Sequence, residues 1–264
     1  MSQGWQTGEL LNVIKVVRTS TCPIIVHTTH GDAVVKALGN PEGPHALARE
    51  WVGTSLAREM GIPTFDFGIQ ELTYDNAADL MEVTGMTLEA GHAFVSRFET
   101  GRPWDGSAGQ LASLTNPQDI ATLIVFDTWI RNRDRCPPRG SERSPNYGNV
   151  WLSGHRKPWT LKAIDHTHCL DSGALRTNLA NIHLVKDIAV YGAFEAFVDA
   201  LDNTSLHGAL AALRRITDDR IREIVQAIPD AWEVSPDVRD TLVRFLCGRA
   251  RFLQSQPALW FQSL

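Results

Sequence analysis

The residue pattern of the chain changes near position 100, and this change constrains the fold more than any other feature. Before it, short β-branched and apolar runs alternate with turns and one helical stretch. After it, apolar residues recur mainly at helical spacing between polar loops. Strands followed by helices favour an α+β fold. We therefore predict two lobes, a small β-rich one over residues 1–98 with one helix and a mostly helical one over residues 99–264. We expect the lobes to meet at a cleft of the kind that binds ligands.

Two apolar segments near the start predict a β-hairpin. Cys22–His27 and Ala33–Leu38 are rich in β-branched residues, and the glycine-containing turn Thr28–Asp32 separates them. The other elements expected in this lobe are a helix at residues 45–60 and strands at residues 64–72 and 92–98, the two strands being joined by polar sequence.

The second lobe follows a loop rich in glycine, proline and serine at residues 99–113, which we take as the boundary. A helix is expected from Pro117 to about Arg131, followed by a polar loop. Two short strands are expected at residues 149–152 and 160–164. The remainder, residues 182–264, is expected to be mostly helical and broken by prolines.

Composition excludes several classes of protein. The longest apolar stretches, such as Ile120–Phe126, fall far short of the roughly 20 residues that cross a bilayer. A net charge of −5 and a pI of about 6.0 give no sign of a nucleic-acid partner. The start of the chain lacks the pattern of a secretory signal, and the cysteines form no CxxC pair. We therefore expect free thiols, a cytoplasmic location and no membrane or direct nucleic-acid binding.

A lysine within an apolar strand is the first candidate functional residue. Lys36 lies in the segment Val34–Leu38, where a lysine either faces water or meets a carboxylate or a ligand anion. Glu50 lies on the helix that follows. A lysine on a strand and a glutamate on a helix against the same sheet can pair and direct the ammonium toward a phosphate, as in protein kinases.

Three further residues carry oxygen atoms suited to phosphate chemistry. Asp134 lies in a charged turn after the predicted helix, where a carboxylate can orient a hydroxyl or accept its proton. The arginines of this turn could instead simply favour a helix C-terminus. Asn149 and Asp165 border two neighbouring strands, and an amide oxygen with a carboxylate suits Mg²⁺.

This ordered set resembles the protein-kinase-like fold that lipid kinases and HipA-like kinases share. The amino-acid sequence around these residues is most similar to the HipA-like branch. The resemblance covers roughly residues 15 to 255. The segments that carry it are Thr19–Val26, Gly31–Lys36, Leu56–Pro63, Asn132–Arg135, Asn149–Leu152, Ala163–His166 and Ile228–Trp232.

The resemblance implies a phosphotransferase that depends on ATP and Mg²⁺, with a serine or threonine hydroxyl of a protein as acceptor. Lys36 would contact the ATP phosphates and be held by Glu50. Asp134 would be the catalytic base or would orient the hydroxyl, and Asn149 and Asp165 would bind Mg²⁺. The turn would cover the phosphates and the segment 94–98 would lie near the adenine, which adds the candidate nucleotide-binding residues Thr28, Thr29, His30, Gly31, Phe94, Ser96 and Phe98.

The chain departs from the usual kinase pattern in ways that leave alternatives open. Asn149 follows Asp134 by fifteen positions, where the pattern has about five. The segment 136–145 accounts for the difference and makes Asn146 a rival metal ligand. The triplet Asp165–Thr167 lacks the usual glycine, and the sequence has no glycine-rich loop. An ATP-binding pseudokinase that regulates a partner, or a small-molecule kinase, therefore remains an alternative.

Two other expectations concern metals and partners. His166, His168 and Cys169 are zinc-ligand types, but no second cluster with suitable spacing accompanies them. We expect these residues to be structural or to lie near the phosphates. Because HipA-like kinases can act as toxins that an antitoxin neutralises, the resemblance also allows an antitoxin-like regulatory partner.

Overall fold

The computed structural model describes residues 5–171 and 173–262 and shows the predicted α+β fold. It divides into two compact units. The first contains the chain up to Trp51, Phe65–Glu99 and Ile228–Val234. The second contains Val52–Thr64, Thr100–Ala227 and the chain from Ser235 onward.

The first unit is built on a five-stranded antiparallel sheet with the order β1-β2-β3-β5-β4. Alternate side chains of β2 and β3 are fully buried, and Val26 and Val35 pack there with Leu80. The strands are β1 (Leu10–Val16), β2 (Ile24–Thr28), β3 (Gly31–Leu38), β4 (Phe67–Leu72) and β5 (Glu89–Arg97).

The predicted hairpin is confirmed as β2 and β3. The two-residue turn Thr29-His30 joins them, and the Thr28 hydroxyl donates to the Gly31 carbonyl at 2.5 Å. Gly31 has φ +104°, a conformation that side chains with a Cβ rarely adopt. The glycine therefore allows the tight turn that fixes the register, with Ile24 opposite Val35.

A second helix, α2 (Tyr74–Thr84), replaces the polar connection that the sequence predicted between β4 and β5. The Thr73 hydroxyl accepts from the Asn76 amide at 3.1 Å, and Gly85 ends the helix in the left-handed conformation. The expectation of a single helix in this part of the chain was wrong. The apolar residues of α2 do not mark one face clearly, because Ala77 and Leu80 are buried while Tyr74 and Val83 are exposed.

Helix α1 (Pro44–Glu59) confirms the helix predicted from residue 45 to residue 60. Leu47 and Leu56 are completely buried. Gly61, with φ +82°, and Pro63 follow the helix and prevent its continuation. Its residues up to Trp51 belong to the first unit and the later ones to the second.

The second unit contains a three-stranded antiparallel sheet, β6-β7-β8, and most of the helices. The two predicted strands are confirmed as β7 and β8 and the predicted helix as α4, while Pro236 and Pro257 begin helices, as expected from the prolines that break the helical remainder. The elements are β6 (Gly101–Pro103), α3 (Ala108–Leu111), α4 (Asp119–Ile130), β7 (Val150–Ser153), β8 (Thr160–Ala163), α5 (Ile182–Val185), α6 (Glu195–Val198), α7 (Asn203–Arg215), α8 (Asp218–Gln226), α9 (Pro236–Ser255) and α10 (Pro257–Phe261).

Helix α4 is the centre of the second unit. Ten of its residues are buried, so it is enclosed on all sides rather than on one face. Helices α7 and α9 pack against it. All four cysteines of the chain are free thiols, as predicted. Among the residues that the structure describes, no helix is both long and apolar enough to cross a bilayer.

Candidate active site

The ion pair expected between Lys36 and Glu50 is present in the first unit. Lys36 Nζ donates to Glu50 Oε2 at 2.8 Å, and the side chains are only 7% and 5% exposed. Burial strengthens the attraction between two charges because little water screens it. The pair therefore holds the ammonium at the end of β3. Contact of this ammonium with ATP phosphates stays a prediction.

The structure does not bring the predicted phosphate-covering turn to Lys36. Gly31 begins β3 and Lys36 lies five residues along it, which at about 3.4 Å per residue is about 17 Å. The turn, Thr28 to Gly31, is thus at the opposite end of the hairpin from the lysine. It contacts the start of the chain instead, since the Thr29 hydroxyl accepts from the Glu9 amide at 3.0 Å.

The connection between β1 and β2 is the segment that borders Lys36, and sequence reasoning did not assign it to the site. Because Val35 is opposite Ile24, Lys36 lies next to the residues that precede β2. Thr19 and Ser20 there are exposed hydroxyl residues, and the Cys22 amide donates to the Thr19 carbonyl at 3.1 Å. The sequence could have indicated a role for this segment, because Thr19–Val26 is one of the segments that resemble HipA-like kinases.

The residues expected near adenine lie along and just after β5. This strand is flanked by β3 and β4, so Phe94 and Ser96 use their backbone groups within the sheet. The Phe94 ring stacks on Phe67 at 5.8 Å between centroids. Phe98 alone of the three follows the strand, and its amide donates to the Asp32 carbonyl at 2.8 Å. Their contact with adenine stays a prediction.

The end of α4 forms the turn that presents Asp134. Arg131 ends the helix in the left-handed conformation, with φ +52°. The Asn132 amide then donates to the Asp127 carbonyl at 2.9 Å. The Asn132 side-chain oxygen accepts from the Asp134 amide at 3.2 Å. Asp134 therefore occupies a turn that the hydrogen bonds of Asn132 hold to the end of α4.

Asp134 is joined directly to Asn149. Its Oδ2 accepts from Asn149 Nδ2 at 2.6 Å and from Asn146 Nδ2 at 3.2 Å. The intervening segment is closed at its base, where the Asn146 amide donates to the Arg135 carbonyl at 2.9 Å. Residues 139–145 are exposed beyond that point. The extra residues therefore form an outward loop and do not separate the two site residues.

Asn149 and Asp165 lie at one end of the β7-β8 pair. Val150 is opposite Ala163, and the Ile164 amide donates to the Asn149 carbonyl at 3.3 Å. Asn149 uses its side-chain nitrogen on Asp134, so its side-chain oxygen points elsewhere, and Mg²⁺ binding by this oxygen stays a prediction. An amide oxygen and a carboxylate fit Mg²⁺, which takes few protein ligands and retains phosphate and water oxygens.

The three residues of zinc-ligand type, His166, His168 and Cys169, are not arranged as a metal site in the described part of the chain. His166 is completely buried, with its ring edge-on to Phe126 at 5.5 Å and its Nδ1 3.1 Å from the Thr54 hydroxyl. Within residues 5–171 and 173–262, no group of three or more histidine, cysteine or carboxylate side chains is placed to hold a metal. The His166 ring thus packs in the core of the second unit.

All three arginines around Asp134 form ion pairs. Arg131 is 3.2 Å from Asp187, and Arg135 is 2.8 Å from Asp127. Both arginine side chains are buried. Arg133, which pairs with Asp171 at 3.5 Å, is 38% exposed. Two of the three arginines therefore stabilise the turn rather than face an acceptor.

Asp127 is the most perturbed acid of the site. It is completely buried, and burial raises its pKa to about 6. Arg135 and Asn132 act in the opposite direction by stabilising the carboxylate. A buried charge of this kind requires its partner, so Asp127 and Arg135 must be considered together.

Comparison with known proteins identifies a protein family and similar solved structures. The protein family described as HipA-like kinase matches residues 14–254. A solved structure, that of the Helicobacter pylori proinflammatory kinase CtkA, superimposes with a TM-score of 0.58 at 13% sequence identity, covering 96% of this chain and 95% of that one. At this identity the structural likeness concerns the fold. No curated protein matches the chain.

Proposed function

The chain belongs to the HipA-like kinase family, and we propose that it transfers the γ-phosphoryl group of ATP, with Mg²⁺, to a serine or threonine hydroxyl of a protein. The observation that carries the proposal is the 2.6 Å hydrogen bond between Asn149 and Asp134. It joins a hydroxyl-orienting carboxylate to a residue with a free oxygen ligand for a metal.

The proposed reaction depends on positioning and on neutralising charge. Asn149 and Asp165 would hold Mg²⁺, which when bound neutralises charge on phosphate oxygens. Lys36 would neutralise further phosphate charge. Asp134 would align the acceptor hydroxyl, whose oxygen bonds to the γ-phosphorus as the bond to ADP breaks. The hydroxyl proton would pass to Asp134.

The nucleotide contacts in this proposal come from several segments. Lys36 and the neighbouring hydroxyl residues Thr19 and Ser20 would contact the phosphates. Of the segment 94–98 that is expected near the adenine, Phe98 follows β5, and we propose the adenine contact for the chain from this residue onward. A cytoplasmic location is part of the proposal, because four free thiols are typical of a reducing compartment.

A pseudokinase that binds ATP and regulates a partner is the second candidate. It is favoured by the triplet Asp165-His166-Thr167, because the position where kinases have a flexible glycine holds a threonine that is only 2% exposed. The partner would be antitoxin-like, by analogy with the family. A small-molecule kinase is the remaining alternative.

The deciding experiment follows labelled γ-phosphate from ATP in the presence of Mg²⁺, for the wild type, Asp134→Ala and Asp165→Ala. Nucleotide binding is measured by calorimetry on the same samples. Transfer to protein that is lost in both variants supports the kinase proposal. Binding without transfer by the wild type would favour the pseudokinase, and absence of nucleotide binding would overturn both.

A further inference from the structure

We propose that the buried Asp127–Arg135 pair is a positioning device that sets the geometry of the metal-binding and catalytic residues together. The inference rests on the proposed function, since it concerns how that site is held. It assigns a role to two residues that do not themselves contact nucleotide or acceptor.

Arg135 connects the two strand ends that carry the proposed metal ligands. Its Nε donates to Asp127 Oδ2 at 2.8 Å, and both side chains are completely buried. Its Nη1 donates to the Ile164 carbonyl at 3.1 Å and also to the Asn149 carbonyl. Ile164 immediately precedes Asp165. One guanidinium therefore fixes the backbone at both proposed Mg²⁺ ligands.

Asp127 connects the same guanidinium to the catalytic turn. Its Oδ1 accepts from Asn132 Nδ2 at 3.0 Å, while its Oδ2 accepts from Arg135. Asn132 in turn accepts from the Asp134 amide. The carboxylate is thus bonded through one oxygen to the turn of Asp134 and through the other to the arginine that holds Asn149 and Asp165.

Arginine is required for this arrangement because its planar fork offers several donors in fixed directions. A lysine retains the charge but presents one nitrogen, so it cannot reach the carboxylate and two carbonyls in the same geometry. Partners outside the ligand shell set ligand orientation, and their loss typically weakens metal affinity by about 10-fold to 100-fold.

Arg249 provides a matched control within the same unit. It is also completely buried, and its guanidinium donates to backbone carbonyls outside the catalytic turn and the β7-β8 pair. Those carbonyls belong to Thr128, Trp129, Leu184, Val185 and Asp187. Removing its donors should therefore affect folding stability without changing the metal ligands.

The test measures Mn²⁺ as a substitute for Mg²⁺, by electron paramagnetic resonance in the presence of a non-hydrolysable ATP analogue. We expect Arg135→Lys and Asp127→Asn to weaken Mn²⁺ binding by roughly 10-fold to 100-fold. Affinity for the analogue in EDTA should stay at the wild-type value. Arg249→Lys should lower the melting temperature and leave Mn²⁺ affinity unchanged.

Different results would separate failure of this inference from failure of the proposed function. If the wild type binds no Mn²⁺ with the analogue, the proposed function fails and the pair has no site to position. If the wild type binds it and the folded Arg135→Lys protein binds it equally well, only this inference is overturned. Unfolding of both variants would also overturn it, because the pair would then support the whole core.

Discussion

Asn149 donates its side-chain amide to Asp134 at 2.6 Å although it lies fifteen positions later in the sequence. In the usual kinase loop the corresponding asparagine follows the aspartate by about five positions. Here an outward loop takes up the additional chain, so the local geometry tolerates the longer spacing. This bond directs the Asn149 side-chain oxygen away from Asp134. It therefore connects the proposed catalytic base to the proposed Mg²⁺ ligand.

Replacement of Asp134 should remove phosphoryl transfer while leaving nucleotide binding intact. Asp134→Asn retains the shape but loses most of the ability to accept a proton. Loss of a positioned general base typically costs about 10²-fold to 10⁴-fold in rate. Single-turnover transfer of labelled phosphate measures the change, and calorimetry with ATP checks binding. Retention of the wild-type rate would show that this carboxylate is not the base.

Breaking the Lys36–Glu50 pair should lower both stability and transfer. Lys36→Met leaves Glu50 buried without its lysine, and such a loss costs about 3–5 kcal/mol in the free energy of unfolding. The double variant Lys36→Met/Glu50→Leu should recover much of that stability, because an apolar pair avoids desolvation. It should not recover transfer. Urea unfolding and phosphate transfer measure the two effects, and recovery of both would exclude a phosphate-binding role.

Asn149 and Asn146 can be distinguished by comparing their alanine variants. Both donate to Asp134, but Asn149 is closer and lies at the end of β7 beside Asp165. Asn149→Ala should weaken Mg²⁺ affinity strongly, by about 10-fold or more, whereas Asn146→Ala should have a smaller effect. The concentration of Mg²⁺ at half-maximal transfer measures both. The reverse order would identify Asn146 as the ligand.

Asp127 should make stability fall as pH rises across a defined range. Burial raises its folded-state pKa from the usual 3.8 to about 6, so the unfolded chain releases this proton at a lower pH. The contribution is present below about pH 4 and is lost as pH approaches 6, amounting to about 3 kcal/mol at most. Urea unfolding of the wild type and Asp127→Asn from pH 4 to pH 7 measures this contribution, as the difference between their free energies of unfolding. A flat difference would contradict the assignment.

Shortening the exposed loop should leave the catalytic site unchanged. Because the Arg135 carbonyl and the Asn146 amide close its base, replacing residues 139–144 by two glycines should alter stability by about 0.5 kcal/mol or less. ATP hydrolysis in the absence of acceptor should also persist. Loss of transfer to a protein acceptor with hydrolysis intact would show that the loop contacts that acceptor, whereas loss of both would show that the loop supports the site.

Local signals were sufficient for several elements. The β-branched run before and after Gly31 predicted the hairpin, and the alanine-rich helical pattern ending at Pro63 predicted α1. The capping residues Thr73 and Gly85 would also have predicted α2, but the apolar residues between them are not confined to one buried face, since Tyr74 and Val83 are exposed. Strand β1 was missed because its outer face is exposed, with Leu11 61% accessible, so burial gives it no regular alternation.

The site was less accessible to sequence reasoning, since it depends on register and loop closure. The ion pair of Lys36 and Glu50 could be predicted, because it joins a strand to the helix that follows it in the sequence. The distance between Lys36 and the hairpin turn required counting residues along β3, and that step places the turn away from the lysine. The contact between Asp134 and Asn149 depends on how the intervening loop closes, which spacing alone does not predict.

The closed base of the outward loop has a practical consequence. A peptide grafted in place of residues 139–144 would begin and end beside the residues that flank the proposed base, so its local concentration there would be of millimolar order. Weak acceptor sequences that escape detection in free solution could then be compared as intramolecular substrates. The loop would serve as an insertion site for testing which hydroxyl-bearing sequences accept phosphate in the proposed reaction.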